Sequence, residues 1–239
     1  MCTQHRAGGA KLRNKAISVA VLPESWRGYF EHQLGNFGDK TARMRIDTAE
    51  FRRLDLRVHT FLHDVPLHDV WAVKLSDGGP GRTMADVRAV FSLDHMLSAN
   101  VVVKALFALR ALLGRALGWD REPPDAAEIS FVNRLDESDR QATLVAPGTV
   151  QGPFRVLYVF RREALGEALN STVHAFSALA LVGTEGGYML YWAIYVRPVG
   201  RVTGWYMALI DPLRRLIVYP AILRHVQDEW RCRVGGPGA

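Results

Sequence analysis

The stretch TGWYMALIDPLRRLIVYPAILRHVQDEW, from Thr203 to Trp230, is the longest predominantly apolar segment of the chain and decides the fold. Apolar residues recur in it at steps of three and four, a spacing typical of an amphipathic helix that buries one face. They are Leu209, Leu213, Leu216, Ile217, Leu223, Val226 and Trp230. Because Pro212 and Pro220 lack a backbone donor, we expect each of them to bend or split this helix.

This closing helix is not predicted to cross a membrane. A spanning helix needs about 20 mostly apolar residues, whereas Asp211, Arg214 and Arg215 interrupt the segment, and its longest apolar run is LIVYPAIL. A core helix is favoured. Contact with a membrane surface stays open, because Arg214, Arg215 and Arg224 lie on the polar side of the helix.

The order of the other segments predicts an α+β fold. HDVWAVKL is typical of a strand, and Thr83 with Asp86 resembles a capping box that starts the helix MADVRAVFSLDHML. A second helix, NVVVKALFALRALLGRAL, follows it, and REPPDAAE then breaks the pattern. Segregation of helices from a later run of strands indicates α+β rather than α/β.

After the break, short segments rich in β-branched and aromatic residues predict a meander of antiparallel strands. They are EISFVNRL, QATLVAPGTV, FRVLYVFRRE, ALGEALN, STVHAFSALALV and GYMLYWAIYV. We expect a curved antiparallel sheet wrapped around the long C-terminal helix, an arrangement that tends to leave a pocket between sheet and helix.

The sequence resembles the DUF2867 family of uncharacterised proteins over roughly residues 65–228. The motif that carries the resemblance is GR…YM.LI.P.RRLIV, and the pair Leu165–Gly166 adds to it. The motif residues are Gly200, Arg201, Tyr206, Met207, Ile210, Pro212, Leu216 and Ile217. The resemblance implies the START-like (SRPBCC, Bet v 1-like) helix-grip superfamily, whose members often hold hydrophobic ligands in a deep cavity. It brings no catalytic residues with it.

The sequence suggests three regions. Residues 1–60 are expected to form an irregular extension that is partly disordered at its start. Residues 61–230 form the DUF2867-like helix-grip domain, with two helices after the first strand, and residues 231–239 are expected to be a disordered tail.

His174 is the weak candidate for catalysis. It lies in a segment of small and apolar residues, and Glu163 or Glu167 on the neighbouring strand could tune it for proton transfer. The alternative is a structural histidine that is hydrogen-bonded or faces solvent, and this alternative is favoured. No Ser-His-Asp order, Cys-His arrangement or dinucleotide glycine motif is found, so neither a cofactor nor a nucleophile is predicted.

Candidate ligand-binding residues are taken from the last strand and the closing helix, because an amphipathic ligand needs apolar walls and a few polar groups. They are Tyr191, Trp192, Tyr195, Tyr206, Leu209 and Leu213. Their alternative role is core packing. In HTFLHDVPLHD, His59 and His63 could share a helix face as zinc ligands do, but Pro66 argues against one continuous helix, so no metal site is predicted.

Composition limits the class of protein. The net charge of +6 is scattered over the chain, so nucleic-acid binding is not predicted. Two isolated cysteines, Cys2 and Cys232, fit a reducing compartment, and we expect a cytoplasmic location. Three functions stay open: binding of a small hydrophobic or amphipathic molecule, an enzyme of cyclase or dehydratase type using the same cavity, and a membrane-surface or protein-interaction module. The oligomeric state is left open.

Overall fold

The computed structural model describes residues 43–91, 103–119 except 106, 107, 109, 110, 113, 116 and 117, and 121–234, without the side chains of residues 43, 44, 201, 202, 205, 206 and 209. The chain divides into two compact units, Met1–Lys40 and Thr41–Ala239, and every described residue belongs to the second unit.

The described elements follow one another from a short N-terminal strand to a long C-terminal helix. In chain order they are β1 (Arg43–Arg45), α1 (Thr48–Arg52), α2 (Arg57–Phe61), β2 (Leu67–Ser76), α3 (Met84–Val90), α4 (Ala126–Ile129), a 3-10 turn (Phe131–Arg134), α5 (Glu137–Ala142), β3 (Val150–Gln151), β4 (Phe154–Val159), β5 (Glu163–Leu169), β6 (Val173–Thr184), β7 (Gly187–Pro198), α6 (Arg201–Leu213), a π turn (Arg214–Val218) and α7 (Tyr219–Val234). The described residues of 103–115 are also helical.

The seven described strands form one antiparallel sheet in the order β1-β2-β7-β6-β5-β4-β3. Each of the strands β3 to β7 pairs with the next strand in the chain, which confirms the predicted meander for them. Strand β2 pairs with β7, the last of these strands. The hairpin between β6 and β7 depends on Gly187, whose φ is +152° and whose Cβ, if it had one, would lie 2.3 Å from the carbonyl oxygen of Leu75. The α+β class is confirmed.

Both faces of the sheet are buried. One face, here called the helix face, packs against α3, α6 and α7 and includes Trp71, Leu190, Trp192, Leu223 and Trp230. The opposite face packs against α1, α2 and the segment 126–135. Its core includes Phe51, Val58, Phe61, Phe131, Leu157, Tyr158, Leu165, Phe176, Tyr191 and Tyr195. Alternate residues of β7 therefore serve two different cores.

The closing helix is split, as its two prolines predict, but only at the second one. Pro220 has no N–H and its ring would crowd the carbonyl of the residue four positions earlier. The preceding turn widens, and the N–H of Tyr219 donates to the carbonyl of Arg214, five residues back. At Pro212 the helix α6 runs on without a break.

Several local expectations differ from the structure. EISFVNRL forms α4 and the 3-10 turn rather than a strand, and QATLVAPGTV is mostly turn, with only its last residue in β3. In place of the irregular extension expected up to residue 60, residues 43–61 form β1, α1 and α2. Residues 231–234 continue α7 instead of beginning a tail. Residues 1–42 and 235–239 lie outside the described residues, as does most of the second expected helix.

Candidate functional site

Strand β5 carries two buried carboxylates on the opposite face of the sheet. Glu163 and Glu167 are four residues apart, so the two-residue period of the strand points both side chains the same way. They are only 6% and 3% exposed. Carboxylates are seldom buried to this degree unless they are paired or hydrogen-bonded, so their partners decide what they do.

Glu163 anchors helix α2 to the sheet. Its carboxylate accepts hydrogen bonds from the backbone N–H groups of Arg57 (2.9 Å) and Val58 (2.8 Å), the first two residues of α2, and from the Tyr158 hydroxyl. Burial raises the pKa of Glu163, and the hydrogen bonds oppose this shift only in part. A negative charge at a helix N-terminus also interacts favourably with the helix dipole.

Glu167 connects the sheet to the 3-10 turn and to His174. It accepts hydrogen bonds from Ser130 Oγ (2.7 Å), from the backbone N–H of Phe131 (3.1 Å) and from His174, whose Nε2 lies 2.6 Å from Oε1. Burial would raise the pKa of Glu167, but the hydrogen bonds from His174, Ser130 and Phe131 outweigh burial and leave the pKa below its ordinary value. This carboxyl group is therefore ionised at neutral pH.

A cavity of about 270 Å³ reaches Ser130 and Glu167 from the β3–β4 edge of the sheet. Polar surface makes up slightly more than half of its wall, apolar surface supplies the rest, and an ion pair between Arg155 Nη2 and Glu122 Oε1 (2.9 Å) lies at its rim. The described residues that line it are Glu122, Ala126, Ser130, Val150, Gly152, Pro153, Phe154, Arg155, Glu167 and Leu169. A buried ionised group at the wall of a cavity is typical of binding and active sites.

The order of groups in this site does not match a nucleophilic triad. In such a triad the histidine lies between the serine and the carboxylate and takes the serine proton. Here Glu167 lies between Ser130 and His174, which bond to different carboxylate oxygens. The arrangement suits the holding of a charge and not the activation of Ser130.

A second polar cluster lies on the helix face, where β2 begins. His68 Nε2 lies 2.7 Å from Asp211 Oδ2, and Asp69 is fully buried. The three side chains could in principle hold a metal ion, because one ligand atom of each lies within 4.8 Å of the others. The guanidinium of Arg215, however, lies between them, 3.3 Å from Asp69 Oδ2, 3.4 Å from Asp211 Oδ2 and 3.3 Å from His68 Nε2. This cation fixes the π turn to the sheet in the position where a metal would bind.

A family model described as a protein of unknown function, DUF2867, matches residues 61–221, more than half of the chain. The chain belongs to the DUF2867 family. No curated protein and no solved structure matches the sequence. The match includes β5 and β6, and so Glu163, Glu167 and His174, but the family description assigns no function to them.

The structure of this DUF2867 member brings His174 together with Glu167 and not with Glu163. His174 is 3% exposed, and it does not line the cavity that reaches Glu167. Its ring packs at 5.1 Å from the ring of Phe131 and 4.5 Å from that of Phe176. The histidine thus lies behind the carboxylate as seen from this cavity, and its hydrogen bond orients Glu167.

The six ligand-binding candidates do not converge on one site in this DUF2867 chain. Trp192 lies on the helix face, and its Nε1 donates to Ser177 Oγ at 2.8 Å. Tyr191 and Tyr195 lie on the opposite face. Leu213 is 40% exposed, and the side chains of Tyr206 and Leu209 lie outside the described ones. Of the metal candidates, His59 and His63 each contact a separate backbone carbonyl.

Sequence reasoning missed Ser130, although a signal was present. Ser130 is the residue before the 3-10 turn, and its hydroxyl accepts a hydrogen bond from the N–H of Val132. Serine is a preferred residue at this position of a helical turn. Because EISFVNRL was interpreted as a strand, Ser130 was not considered as a capping residue. Among the described residues of the family member, no helix combines the length and apolar character needed to cross a membrane.

The ionised state of Glu167 gives a prediction for stability against pH. A carboxylate whose pKa is lowered by folding stabilises the fold fully above its unfolded pKa, and this contribution is lost as pH falls through the folded pKa. We therefore expect Glu167→Gln to reduce the free energy of unfolding at neutral pH, and the difference from wild type to shrink as pH falls below the ordinary pKa of a glutamate. Urea unfolding at several pH values measures it. A difference that stays constant or grows on acidification would contradict the lowered pKa.

Proposed function

We propose that this DUF2867 member binds a small amphipathic molecule in the cavity beside Glu167. One observation carries the proposal: the cavity ends on an ionised carboxylate and a hydroxyl that are themselves buried, while Phe154, Leu169 and Val150 supply apolar wall. Ligand sites typically combine mostly apolar walls with a few fixed polar groups that orient the ligand. Burial of the ligand's apolar part would supply most of the affinity.

The size of the cavity limits the ligand. Pockets for drug-sized ligands have volumes of about 300–1,000 Å³, and this cavity, at about 270 Å³, lies just below that range. A small metabolite with one apolar part and one polar end fits the volume.

The same geometry favours binding over catalysis. A general base works best when its pKa lies near the operating pH, and the pKa of Glu167 is shifted the other way, by the hydrogen bonds that it accepts. His174, the candidate base, contacts Glu167 and not the cavity. An enzyme of cyclase or dehydratase type remains the second candidate, supported by the 2.6 Å contact of this pair.

The proposed binding site is not the pocket between sheet and closing helix that the sequence predicts. There the rings of Trp71, Trp192 and Tyr219 pack together, with centroids 5.3 Å apart for Trp71–Tyr219 and 4.8 Å for Trp192–Tyr219. We also propose that the domain has the helix-grip fold. It is supported by a long C-terminal helix that packs across an antiparallel sheet.

A membrane-surface or interaction module is the least supported alternative. Its basic helix face consists of Arg214, Arg215 and Arg224. Arg214 is paired with Asp211, and Arg215 is paired with Asp69 and Asp211. Paired guanidinium groups attract anionic lipid less than free ones. We also propose a cytoplasmic location without nucleic-acid partners, on the evidence of the isolated cysteines and the scattered charge.

Blocking the cavity mouth tests the proposed function. The probes are three molecules of one shape, 3-phenylpropylamine, 3-phenylpropanamide and 3-phenylpropanoate, with binding measured by saturation-transfer NMR. We expect at least one of them to bind the wild type and Val150→Trp to weaken this binding at least about tenfold, because Val150 lines the cavity and is 70% exposed, so a larger side chain closes the mouth without disturbing a core.

Leu144→Trp is the matched control. Leu144 is also apolar and 63% exposed, but it does not line the cavity, so binding should survive this change. If none of the three probes binds the wild type, or if both variants reduce binding equally, the proposed binding site is wrong.

A further inference from the structure

Acidic side chains outnumber basic ones among the described residues that line the cavity. Among the residues that line it, Glu122 and Glu167 are acidic and Arg155 is the basic one. Arg155 is engaged by Glu122 at the rim, at 2.9 Å. Although the register of β4 and β5 places Arg155 opposite Glu167, its guanidinium does not pair with that carboxylate. Among the described residues, the negative charge of Glu167 thus faces the cavity without an ion pair to a guanidinium.

The carboxylate of Glu167 also retains acceptor capacity. An ionised carboxylate can accept about four hydrogen bonds. Glu167 Oε1 accepts from Phe131 and His174, whereas Oε2 accepts from Ser130 alone. Ser130, a second lining residue, donates its hydroxyl proton to Oε2 and accepts from the N–H of Val132, which leaves one oxygen lone pair as an acceptor. The polar end of the cavity therefore offers acceptors rather than donors.

Resting on the proposed function, we infer that the ligand is a small organic cation whose ammonium group donates to Glu167 Oε2 and Ser130 Oγ. An ammonium has donors and no acceptor, which matches this end of the cavity. A carboxylate ligand would meet Glu167 as a like charge in a poorly hydrated place, which is unfavourable. The aromatic ring of Phe154 in the wall favours a cation further.

The three probes used above separate this inference from the proposed function, since they share one shape and differ in charge. We expect 3-phenylpropylamine to bind the wild type at neutral pH at least about tenfold more tightly than 3-phenylpropanoate, with 3-phenylpropanamide between them. Isothermal titration calorimetry gives the three dissociation constants.

Two variants assign the preference to a residue. Glu167→Gln removes the inner charge, and Glu122→Gln removes one charge at the rim as the matched control. We expect Glu167→Gln to reduce the preference for the amine about tenfold and Glu122→Gln to reduce it much less. The wild-type order of the three probes tests the inference even if Glu167→Gln does not fold.

The outcomes are distinct. Equal or tighter binding of the amide or the carboxylate overturns the inference and leaves the cavity as a binding site. Loss of the amine preference in Glu122→Gln but not in Glu167→Gln overturns the assignment to Glu167. Failure of all three probes to bind overturns the proposed function, and the inference with it.

Discussion

Replacing Trp230 with alanine is expected to lower the free energy of unfolding by about 3 to 5 kcal/mol. Trp230 lies on α7, is 1% exposed, and fixes the end of this helix to the end of β2. Its Nε1 donates to the Ser76 carbonyl at 3.1 Å, and its ring packs against that of Tyr188 with a centroid distance of 6.1 Å. Because small domains are stable by only about 5–15 kcal/mol, this single change would remove a large part of the total.

Two controls isolate the anchoring role of Trp230. Trp230→Phe keeps most of the apolar volume but leaves the Ser76 carbonyl without its donor, so we expect a smaller loss of about 1 to 3 kcal/mol. Leu216→Ala, at a leucine that is 66% exposed, should change stability by less than about 0.5 kcal/mol. Urea unfolding measures all three. A loss below about 1 kcal/mol for Trp230→Ala would mean that α7 is not held to the sheet through this residue.

The sequence shows which residues of β7 share a face of the strand, but not which core each face belongs to. The two-residue period of a strand puts Leu190, Trp192 and Ile194 on one side and Tyr191 and Tyr195 on the other, and these two sets lie in separate cores of the structure. Because both sets are apolar, the pattern indicates a strand buried on two sides. The sequence left open which face points inward, and the candidates Tyr191, Trp192 and Tyr195 therefore came from two separate cores.

The segment before the meander was misassigned because local signals compete there. Aromatic and β-branched residues in EISFVNRL favour a strand, but Ser130 caps the 3-10 turn instead. In the same way Asp136 caps α5 by accepting from the N–H of Asp139 at 2.7 Å. Capping side chains determine local conformation over one turn, which is shorter than the stretch that hydrophobic periodicity averages.

The pairing of His174 depended on strand register, which the sequence does not reveal. Leu169 is opposite His174, and Glu167 is opposite Phe176, so Glu167 and His174 are diagonal neighbours on one face. Glu163 is opposite Ala180, far along β6 from His174. The sequence placed the two glutamates on the neighbouring strand, and only the register selects between them.

Replacing Glu163 with alanine is the second large change, with an expected loss of about 2 to 4 kcal/mol. The substitution leaves buried donors without an acceptor: the N–H of Val58 and the Tyr158 hydroxyl, each on a fully buried residue. Each unsatisfied buried donor costs about 1–3 kcal/mol. The N–H of Arg57, at the start of α2, loses its partner as well, but it lies nearer the surface.

Glu163→Gln separates the charge from the hydrogen bonds. Burial raises the pKa of Glu163, so its carboxyl group favours folding most below its unfolded pKa, and this contribution is lost as pH rises through the folded pKa. We therefore expect the advantage of wild type over Glu163→Gln to be larger at acidic pH than at neutral pH, opposite in sign to that expected for Glu167→Gln. The same sign for both variants would contradict this assignment of the two carboxylates.

A double-mutant cycle with Tyr158→Phe tests whether unsatisfied donors cause the loss in Glu163→Ala. Tyr158→Phe removes one donor and leaves Glu163 with the two backbone N–H groups of α2, so its own cost should be modest. In the double variant no buried hydroxyl remains unpaired. We expect it to be less destabilised than the sum of the single changes by about 1 kcal/mol or more. Strict additivity would mean that the unpaired Tyr158 hydroxyl does not contribute to the cost of Glu163→Ala.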